Sequence, residues 1–473
     1  MTDENTYTTD GPMFGDGADD LDLADRHALR RVGGLSTELQ DVTEVEYRQV
    51  RLEQVVLAGV WTDGTVADAE RSLRELALLA ETAGSVVLDG VIQRRSAPDP
   101  ATFLGSGKAR ELRDIVVATG ADTVICDGEL SPGQLRQLEE VVKVKVVDRT
   151  WLILDIFAQH ARSREGKAQV SLAQMQYLLP RLRGWGESLS RQGGGAGGGG
   201  GAGGGGVGTR GPGETKIETD RRRIRAQMTR LRRQLKEMES TRTTQRAARH
   251  RAGIPAVAIA GYTNAGKSSL LNRLTRAGVL VENALFATLD TSVRRSETAD
   301  GRVYTLTDTV GFVRNLPHQL VEAFRSTLEE VGDADVIVHV VDASHPDPAA
   351  QLATVRDVIG DVGARDLPEI VVFNKADLVD DDTRLVLRGL APQALFVSSR
   401  TGEGIDELRE TIERTLPLPA VEVRAVVPYD RGDLVSAVHE NGIILAQEHG
   451  PDGTFLHAHV PAILGGRLAA YAV

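Results

Sequence analysis

Eight residues, Gly261-Tyr-Thr-Asn-Ala-Gly266-Lys267-Ser268, constrain this chain more than any other segment. They follow the G-x-x-x-x-G-K-[ST] pattern of a loop that wraps phosphate. An apolar run (Ile254–Ala260) precedes them and a helix pattern (Ser269–Arg273) follows, so the local fold is strand, loop, helix. Glycines let main-chain N–H groups converge on phosphate oxygens, and the helix N-terminus adds a favourable dipole. In such a loop Lys267 bridges the β and γ phosphates and Ser268 ligates Mg²⁺, while Tyr262, Thr263, Asn264 and Ala265 supply the backbone cradle.

Three further elements stand in the order that this chemistry needs. The strand pattern Val303–Thr307 runs into Asp308-Thr309-Val310-Gly311, where Asp308 can hold Mg²⁺ through water and the Gly311 amide can sense the γ-phosphate. A buried strand pattern follows at Val336–Val341, and another, Ile370–Phe373, leads to Asn374-Lys375-Ala376-Asp377. A carboxylate accepts two parallel hydrogen bonds, and guanine offers paired donors at N1 and its 2-amino group. Adenine lacks that pair, so Asp377 selects guanine, with Asn374 bracing the loop and the Lys375 stem covering the ring. The strand Leu395–Val397 ends at Ser398-Ser399-Arg400, where a backbone N–H can meet the guanine O6. A dehydrogenase-type glycine loop explains neither the lysine nor the Asn-Lys-x-Asp. The substrate is expected to be GTP.

A threonine between the loop and Asp308 must complete the Mg²⁺ shell. Thr288, Thr291 and Thr298 qualify by position; Phe286-Ala287-Thr288-Leu289-Asp290 is the best site, and Thr288 is taken as the ligand. Directly after Gly311, where a water-orienting glutamine is expected, stands Phe312. A phenyl ring cannot hydrogen-bond the attacking water, so intrinsic turnover should be slow, with the water positioned by another residue or by a partner, which couples hydrolysis to docking.

Around this core the chain divides by charge and glycine content. At 473 residues it needs several domains. The net charge of −12 hides segregation: Met1–Asp25 holds eight acids and no Lys or Arg, whereas Thr209–Arg251 holds fourteen Lys and Arg against five acids. Residues 1–44 read as a disordered acidic tail. Residues 45–155 alternate strand and helix patterns and read as a small parallel-sheet α/β domain; within them, Phe103–Lys108 (FLGSGK) lacks the full phosphate-loop spacing and reads as a glycine turn before a helix.

Residues 156–252 read as an antiparallel helical hairpin. Leu172, Met175, Leu179 and Leu182 form one stripe, and Ile217, Ile224, Met228, Leu231, Leu235 and Met238 a second with a seven-residue beat. The connection, residues 193–208, contains thirteen glycines in sixteen residues and reads as a flexible loop. The second helix carries Arg221, Arg222, Arg223, Arg225, Arg230, Arg232 and Arg233 with few compensating acids, a face suited to RNA phosphate. Residues 253–417 form the nucleotide domain and 418–473 a small α+β domain. A single cysteine, Cys126, excludes an internal disulfide. No run of about 18 apolar residues occurs, and the N-terminus lacks a basic region before an apolar stretch. The expectation is a cytoplasmic, monomeric protein with no membrane span.

Taken together, GYTNAGKSSLLNRLT, FATLD, DTVGF and NKAD resemble the Obg/HflX branch of translation-factor-related GTPases. Gly128–Pro132 (GELSP), Asp148–Gln159 (DRTWLILDIFAQ), Ala161–Lys167 (ARSREGK) and Arg210–Arg222 (RGPGETKIETDRR) are similar to signatures of the HflX family. The resemblance covers about residues 50–470. It implies a multidomain α/β architecture: an N-terminal α/β domain with a helical hairpin, a P-loop GTPase domain, and a small α+β C-terminal domain. It further implies a GTP-hydrolysing factor that binds the large (50S) ribosomal subunit and splits stalled or idle 70S ribosomes. A large-subunit assembly GTPase and an RNA-remodelling enzyme working through the N-terminal domain stay open beside it. The hairpin tip would approach the peptidyl-transferase region, although the Gly/Ala expansion here has no side chains to read bases. The C-terminal domain would either meet the protein stalk region or only brace the nucleotide domain. Replacing Asp377 by Asn turns a paired acceptor into one acceptor and one donor; in competition binding, Asp377→Asn should lose GTP affinity and gain affinity for xanthosine triphosphate.

Overall fold

The computed structural model describes residues 30–31, 53–182, 212–275, 285–286, 292–299, 301–314, 330–419 and 421–473. The chain separates into two compact units, Met1–Leu152 and Ile153–Val473.

The first unit is a five-stranded sheet in the order β1-β3-β2-β4-β5. Its strands are β1 (Arg30–Arg31), β2 (Gln54–Trp61), β3 (Val86–Arg94), β4 (Thr123–Asp127) and β5 (Lys145–Asp148); α1 (Val66–Thr82), α2 (Ser106–Thr119) and α3 (Pro132–Val142) connect them. β2, β3, β4 and β5 pair in parallel, and β1 joins the β3 edge antiparallel with Arg30 opposite Ile92. Strand β2 is buried along almost its whole length, as a central parallel strand covered on both faces must be. Helix starts are explicit in the sequence. Thr65 and Asp68 form a reciprocal cap on α1, and Ser131 and Gln134 do the same on α3, with Pro132 at its first turn. The FLGSGK segment is the glycine turn expected, with Gly105 (φ +99) just before α2. Arg149, 2% exposed, is held by Asp127 at 2.8 Å and by Glu75. Arg30–Arg31, which pairs with β3, lies within the stretch expected as a tail to residue 44. The rest of residues 1–52 lies outside the described residues.

In the second unit, α4 (Arg149–His160), which starts in the first, leads to α5 (Arg164–Arg181) and α6 (Pro212–Ala252). Arg242 near the end of α6 meets Glu165 at the start of α5 at 2.5 Å, so the two helices run antiparallel. Leu172 and Met228 are buried, but Met175, Leu179, Ile224, Leu231, Leu235 and Met238 are only half-buried. A pair of helices covers one side of each stripe. The side chain of Ile217 and the Gly-rich loop 193–208 lie outside the described residues.

The nucleotide domain holds a six-stranded sheet in the order β11-β10-β9-β6-β8-β7. The strands are β6 (Ala256–Gly261), β7 (Ser292–Glu297), β8 (Val303–Asp308), β9 (Val336–Asp342), β10 (Glu369–Asn374) and β11 (Leu395–Phe396). All pair in parallel except β7, which forms an antiparallel hairpin with β8. Helices α7 (Lys267–Thr275), α8 (Pro348–Asp361), α9 (Asp381–Leu390) and α10 (Ile405–Thr415) alternate with them. A three-stranded antiparallel sheet, β12-β14-β13, closes the chain. Its strands β12 (Val421–Val427), β13 (Ile443–Gly450) and β14 (Gly453–Val460) share one core with α11 (Gly432–Asn441) and α12 (Ala462–Leu468), built on Val423, Leu434, Val438, Leu456 and Leu464. Among the described residues no helix is long and apolar enough to cross a membrane.

His339 lies fully buried in β9, paired beside Ala260 of β6 and Val371 of β10. Its Nδ1 is 2.6 Å from Glu369 Oε1, and Arg356 donates to the same carboxylate at 2.8–3.2 Å. Burial lowers the imidazole below its ordinary value, with Arg356 and Lys267 acting in the same direction and Glu369 opposing. Burial also pushes Glu369 up, but the hydrogen bonds from His339 and Arg356 outweigh it and hold the carboxyl at about 2. The native ring is therefore neutral while the unfolded ring protonates near pH 6.5. Its contribution to stability is complete above that pH and is lost as pH falls below it. Urea titrations from pH 7.5 to 5.5 should show the unfolding free energy falling with pH, by at most about 1.4 kcal/mol per pH unit for one proton. His339→Gln should flatten that dependence; an unchanged slope would remove His339 as its cause.

Candidate active site

Strand β6 ends at Gly261 and α7 begins at Lys267, so residues 262–266 turn the chain over the carboxyl end of the central strand. A Cβ on Gly261 would collide with the Val340 carbonyl oxygen, and one on Gly266 (φ +90) with the Asn374 amide. Asn264, at φ 59, occupies the left-handed region that asparagine tolerates. The loop is tied to the segment after β8: the Phe312 N–H donates to Gly261 O at 3.2 Å, and the Thr263 N–H donates to Phe312 O at 2.7 Å. Gly311 sits against this tie, where a Cβ would lie 2.7 Å from Thr263 Cγ2 and 3.0 Å from Lys267 Nζ.

Lys267 is 7% exposed and donates to the Gly261 and Tyr262 carbonyls at 3.1 and 2.9 Å. Burial pushes its ammonium down to about 8, with Asp308 pulling the other way. Ser268 Oγ donates to Asp308 Oδ2 at 2.7 Å. A hydroxyl and a carboxylate from different elements thus stand side by side at the loop mouth. Magnesium takes few protein oxygens and keeps several waters, so this donor pair suits it. Thr309 donates to Ile259 O at 2.7 Å, and the Tyr262 hydroxyl accepts the Arg314 N–H at 2.7 Å. Val310 and Phe312 are buried.

On the other flank Asn374, fully buried, joins two loops. Its Nδ2 donates to Ala265 O at 2.8 Å, and its Oδ1 accepts the Ser399 N–H at 3.1 Å. The Ser398 N–H donates to Glu403 O. Two of the three amides offered for a guanine O6 are thus engaged within the protein. Ala376 donates its N–H to Val397 O at 3.0 Å. The Ser398 hydroxyl donates to Asp377 Oδ1 at 2.6 Å, while Arg400, 83% exposed, has its guanidinium 4.0 Å from Asp377 Oδ2. Lys375, at φ 62, donates to Asp342 at 2.7 Å. Sequence reasoning missed the orienting roles of Ser398 and Asp342. The available signal was a carboxylate at the end of the buried, mostly apolar β9.

The threonine candidates separate in part. Thr298 caps the β7–β8 turn, its hydroxyl accepting the Arg302 N–H at 2.9 Å. The hairpin register puts Glu297 opposite Val303 and Ser292 opposite Asp308, so Thr298 sits at the end of the hairpin away from Asp308, about 20 Å along the strand. That placement removes it as a shared metal ligand. Phe286 is buried and meets Phe157 edge-on, centroids 4.7 Å apart. Ala287, Thr288, Leu289, Asp290 and Thr291 lie outside the described residues.

Comparison with known proteins agrees along the chain. Residues 70–158 match a family described as GTP-binding GTPase N-terminal, residues 160–249 its Middle Region, and residues 256–375 the family 50S ribosome-binding GTPase. The chain is 44% identical over 434 residues to a GTPase HflX of Lacrimispora saccharolytica, covering 92% of this chain and 98% of that protein. It is 39% identical over 420 residues to the GTPase HflX of Escherichia coli, covering 88% and 95%. This chain belongs to the HflX family. It is a GTPase, built on a P-loop domain within a mixed α/β chain. In this family member Asn374 makes two buried hydrogen bonds that hold the phosphate loop and the Ser398–Arg400 loop together. Losing both should cost about 1–3 kcal/mol. Asn374→Ala should therefore weaken fluorescent-GDP binding by about fivefold or more; an unchanged Kd would show that the brace does not serve the nucleotide.

Proposed function

We propose that this GTPase binds the large ribosomal subunit in its GTP form, gripping rRNA through α6, and promotes separation of stalled or idle 70S ribosomes. One observation carries the reading: Arg222, Arg223, Arg225, Arg230, Arg232 and Arg233 are all exposed along a single 41-residue helix, with Arg221 half-buried beside them. Guanidinium groups pair bidentately with phosphate, and RNA supplies phosphate at regular spacing along a helix. The match of residues 256–375 to a family described as 50S ribosome-binding supports the same partner.

Within this reading each nucleotide-site residue has a role, and the described geometry of Lys267, Ser268, Asp308 and Asp377 supports it. Gly261–Ser268 cradles the phosphates, with Lys267 exchanging the Gly261 and Tyr262 carbonyls for β and γ oxygens. Ser268 and Thr288 would hold Mg²⁺ directly and Asp308 through water, and the ion would supply screening of the phosphate charge. Gly311 reports the γ-phosphate. Asp377, set by Ser398, reads guanine, with Lys375 and Ser398–Arg400 around the base. Buried Phe312 brings no hydrogen bond to the water, so hydrolysis is slow until the ribosome docks. The protein works as a monomer in the cytoplasm.

Sedimentation tests this. With a non-hydrolysable GTP analogue the protein should pellet with 50S particles and raise free subunits from 70S; with GDP it should do neither. Replacing Arg222, Arg223 and Arg225 by Gln should weaken 50S binding and flatten its salt dependence by up to about two log units of slope. Binding without any rise in free subunits would favour the assembly reading, and equal pelleting with both nucleotides would end the switch.

A further inference from the structure

Among the described residues, the Thr263 side chain at the phosphate loop is a polar group without a hydrogen-bond partner. Thr263 is 5% exposed, and its Oγ1 is buried without a hydrogen-bond partner among the described residues. Enclosing an unpaired hydroxyl is unfavourable, and valine would fill the same volume without that cost. The place is specific. The Thr263 N–H is fixed to Phe312 O at 2.7 Å, and its Cγ2 lies 2.7 Å from where a Cβ on Gly311 would be, with Lys267 Nζ 3.0 Å from the same point. Thr263, Gly311 and Lys267 therefore converge on one small volume. On the nucleotide reading above, on which this inference rests, Lys267 and Gly311 address the γ-phosphate, so Thr263 stands beside the reacting end, with its methyl carbon toward Gly311 and its hydroxyl enclosed without a partner among the described residues. Phe312, next in the chain, has no side-chain hydrogen-bonding group and a ring only 2% exposed.

We propose that Thr263 Oγ1 positions the attacking water. A hydroxyl both accepts and donates: it accepts a hydrogen bond from the water and donates its own hydrogen to a γ-phosphate oxygen. The water oxygen forms a bond to the γ-phosphorus as the bond from that phosphorus to the β–γ bridging oxygen breaks, the electron pair leaving on GDP. A water proton passes to a γ-phosphate oxygen, giving dihydrogen phosphate, and Thr263 keeps its proton throughout. The hydroxyl takes the orienting role that Phe312 cannot fill.

Single-turnover GTP hydrolysis by the full chain, with binding of a fluorescent GTP analogue measured in parallel, tests the assignment. Thr263→Val should keep analogue affinity within about threefold and slow hydrolysis by roughly tenfold to a hundredfold. Thr263→Ser should restore the rate to within about threefold of the parent. Hydrolysis by Thr263→Val at the parental rate would overturn the proposal. So would equal slowing in both variants, which would assign the effect to side-chain shape, or a fall in affinity as large as the fall in rate. Failure of the parent to bind the analogue would bring down the nucleotide reading itself, and that result is visible before any variant is made.

Discussion

The site depends on two backbone segments crossing at contact distance. The turn after β6 and the stretch after β8 exchange hydrogen bonds through Gly261, Thr263 and Phe312, and this approach needs positions without a Cβ. Gly261 meets the Val340 carbonyl, Gly266 the Asn374 amide, and Gly311 the Thr263 side chain and Lys267 ammonium. Each glycine lets one more chain segment come close. Together they bring a lysine, a serine hydroxyl, a carboxylate and converging amides to the end of one parallel sheet. Ligand sites of open α/β sheets form at that carboxyl end.

The same closeness sets the electrostatics. Lys267 is enclosed and rests on two main-chain carbonyls, so its charge is desolvated and only partly compensated. Phosphate oxygens make a better partner for such an ammonium than neutral carbonyls do. Ser268 and Asp308 are already paired to each other, which aligns both oxygens toward one point. On the base side the arrangement is equally prepared: Ser398 fixes Asp377, Asp342 fixes Lys375, and Asn374 fixes two loops at once. Such preorganisation means that binding need not order these side chains from scratch.

Away from the nucleotide the fold separates scaffold from surface. The helical pair gives α6 a half-covered apolar stripe toward α5 and leaves its arginines outward. From Arg221 to Arg233 that face runs about 18 Å along the 41-residue helix, which suits contact with RNA phosphates. The C-terminal sheet buries one face against α11 and α12 and forms a compact core of its own.

Much of this was legible from the amino-acid order because the determining physics is local. Phosphate loops need glycines and a lysine at fixed offsets, and Asn-Lys-x-Asp reads guanine with adjacent residues. Capping residues such as Thr65 and Ser131 mark helix starts, and buried parallel strands such as β2 and β9 announce themselves as apolar runs. The antiparallel hairpin strand β7, SVRRSE, was not legible: it is short, polar and at a sheet edge, so no period betrays it. Nor was Arg30–Arg31, whose strand pairing comes only from its neighbour β3. Tertiary structure also chose among chemically equal residues. Three threonines had the right group for magnesium, and the hairpin register alone carried Thr298 away from Asp308. Several hydroxyls lay near the loop, and tertiary packing left that of Thr263 enclosed without a partner among the described residues. Sequence determined which chemical groups and local turns this protein has; long-range packing decided which of them meet, because distance between residues far apart in the chain is set by the folded sheet and not by their spacing.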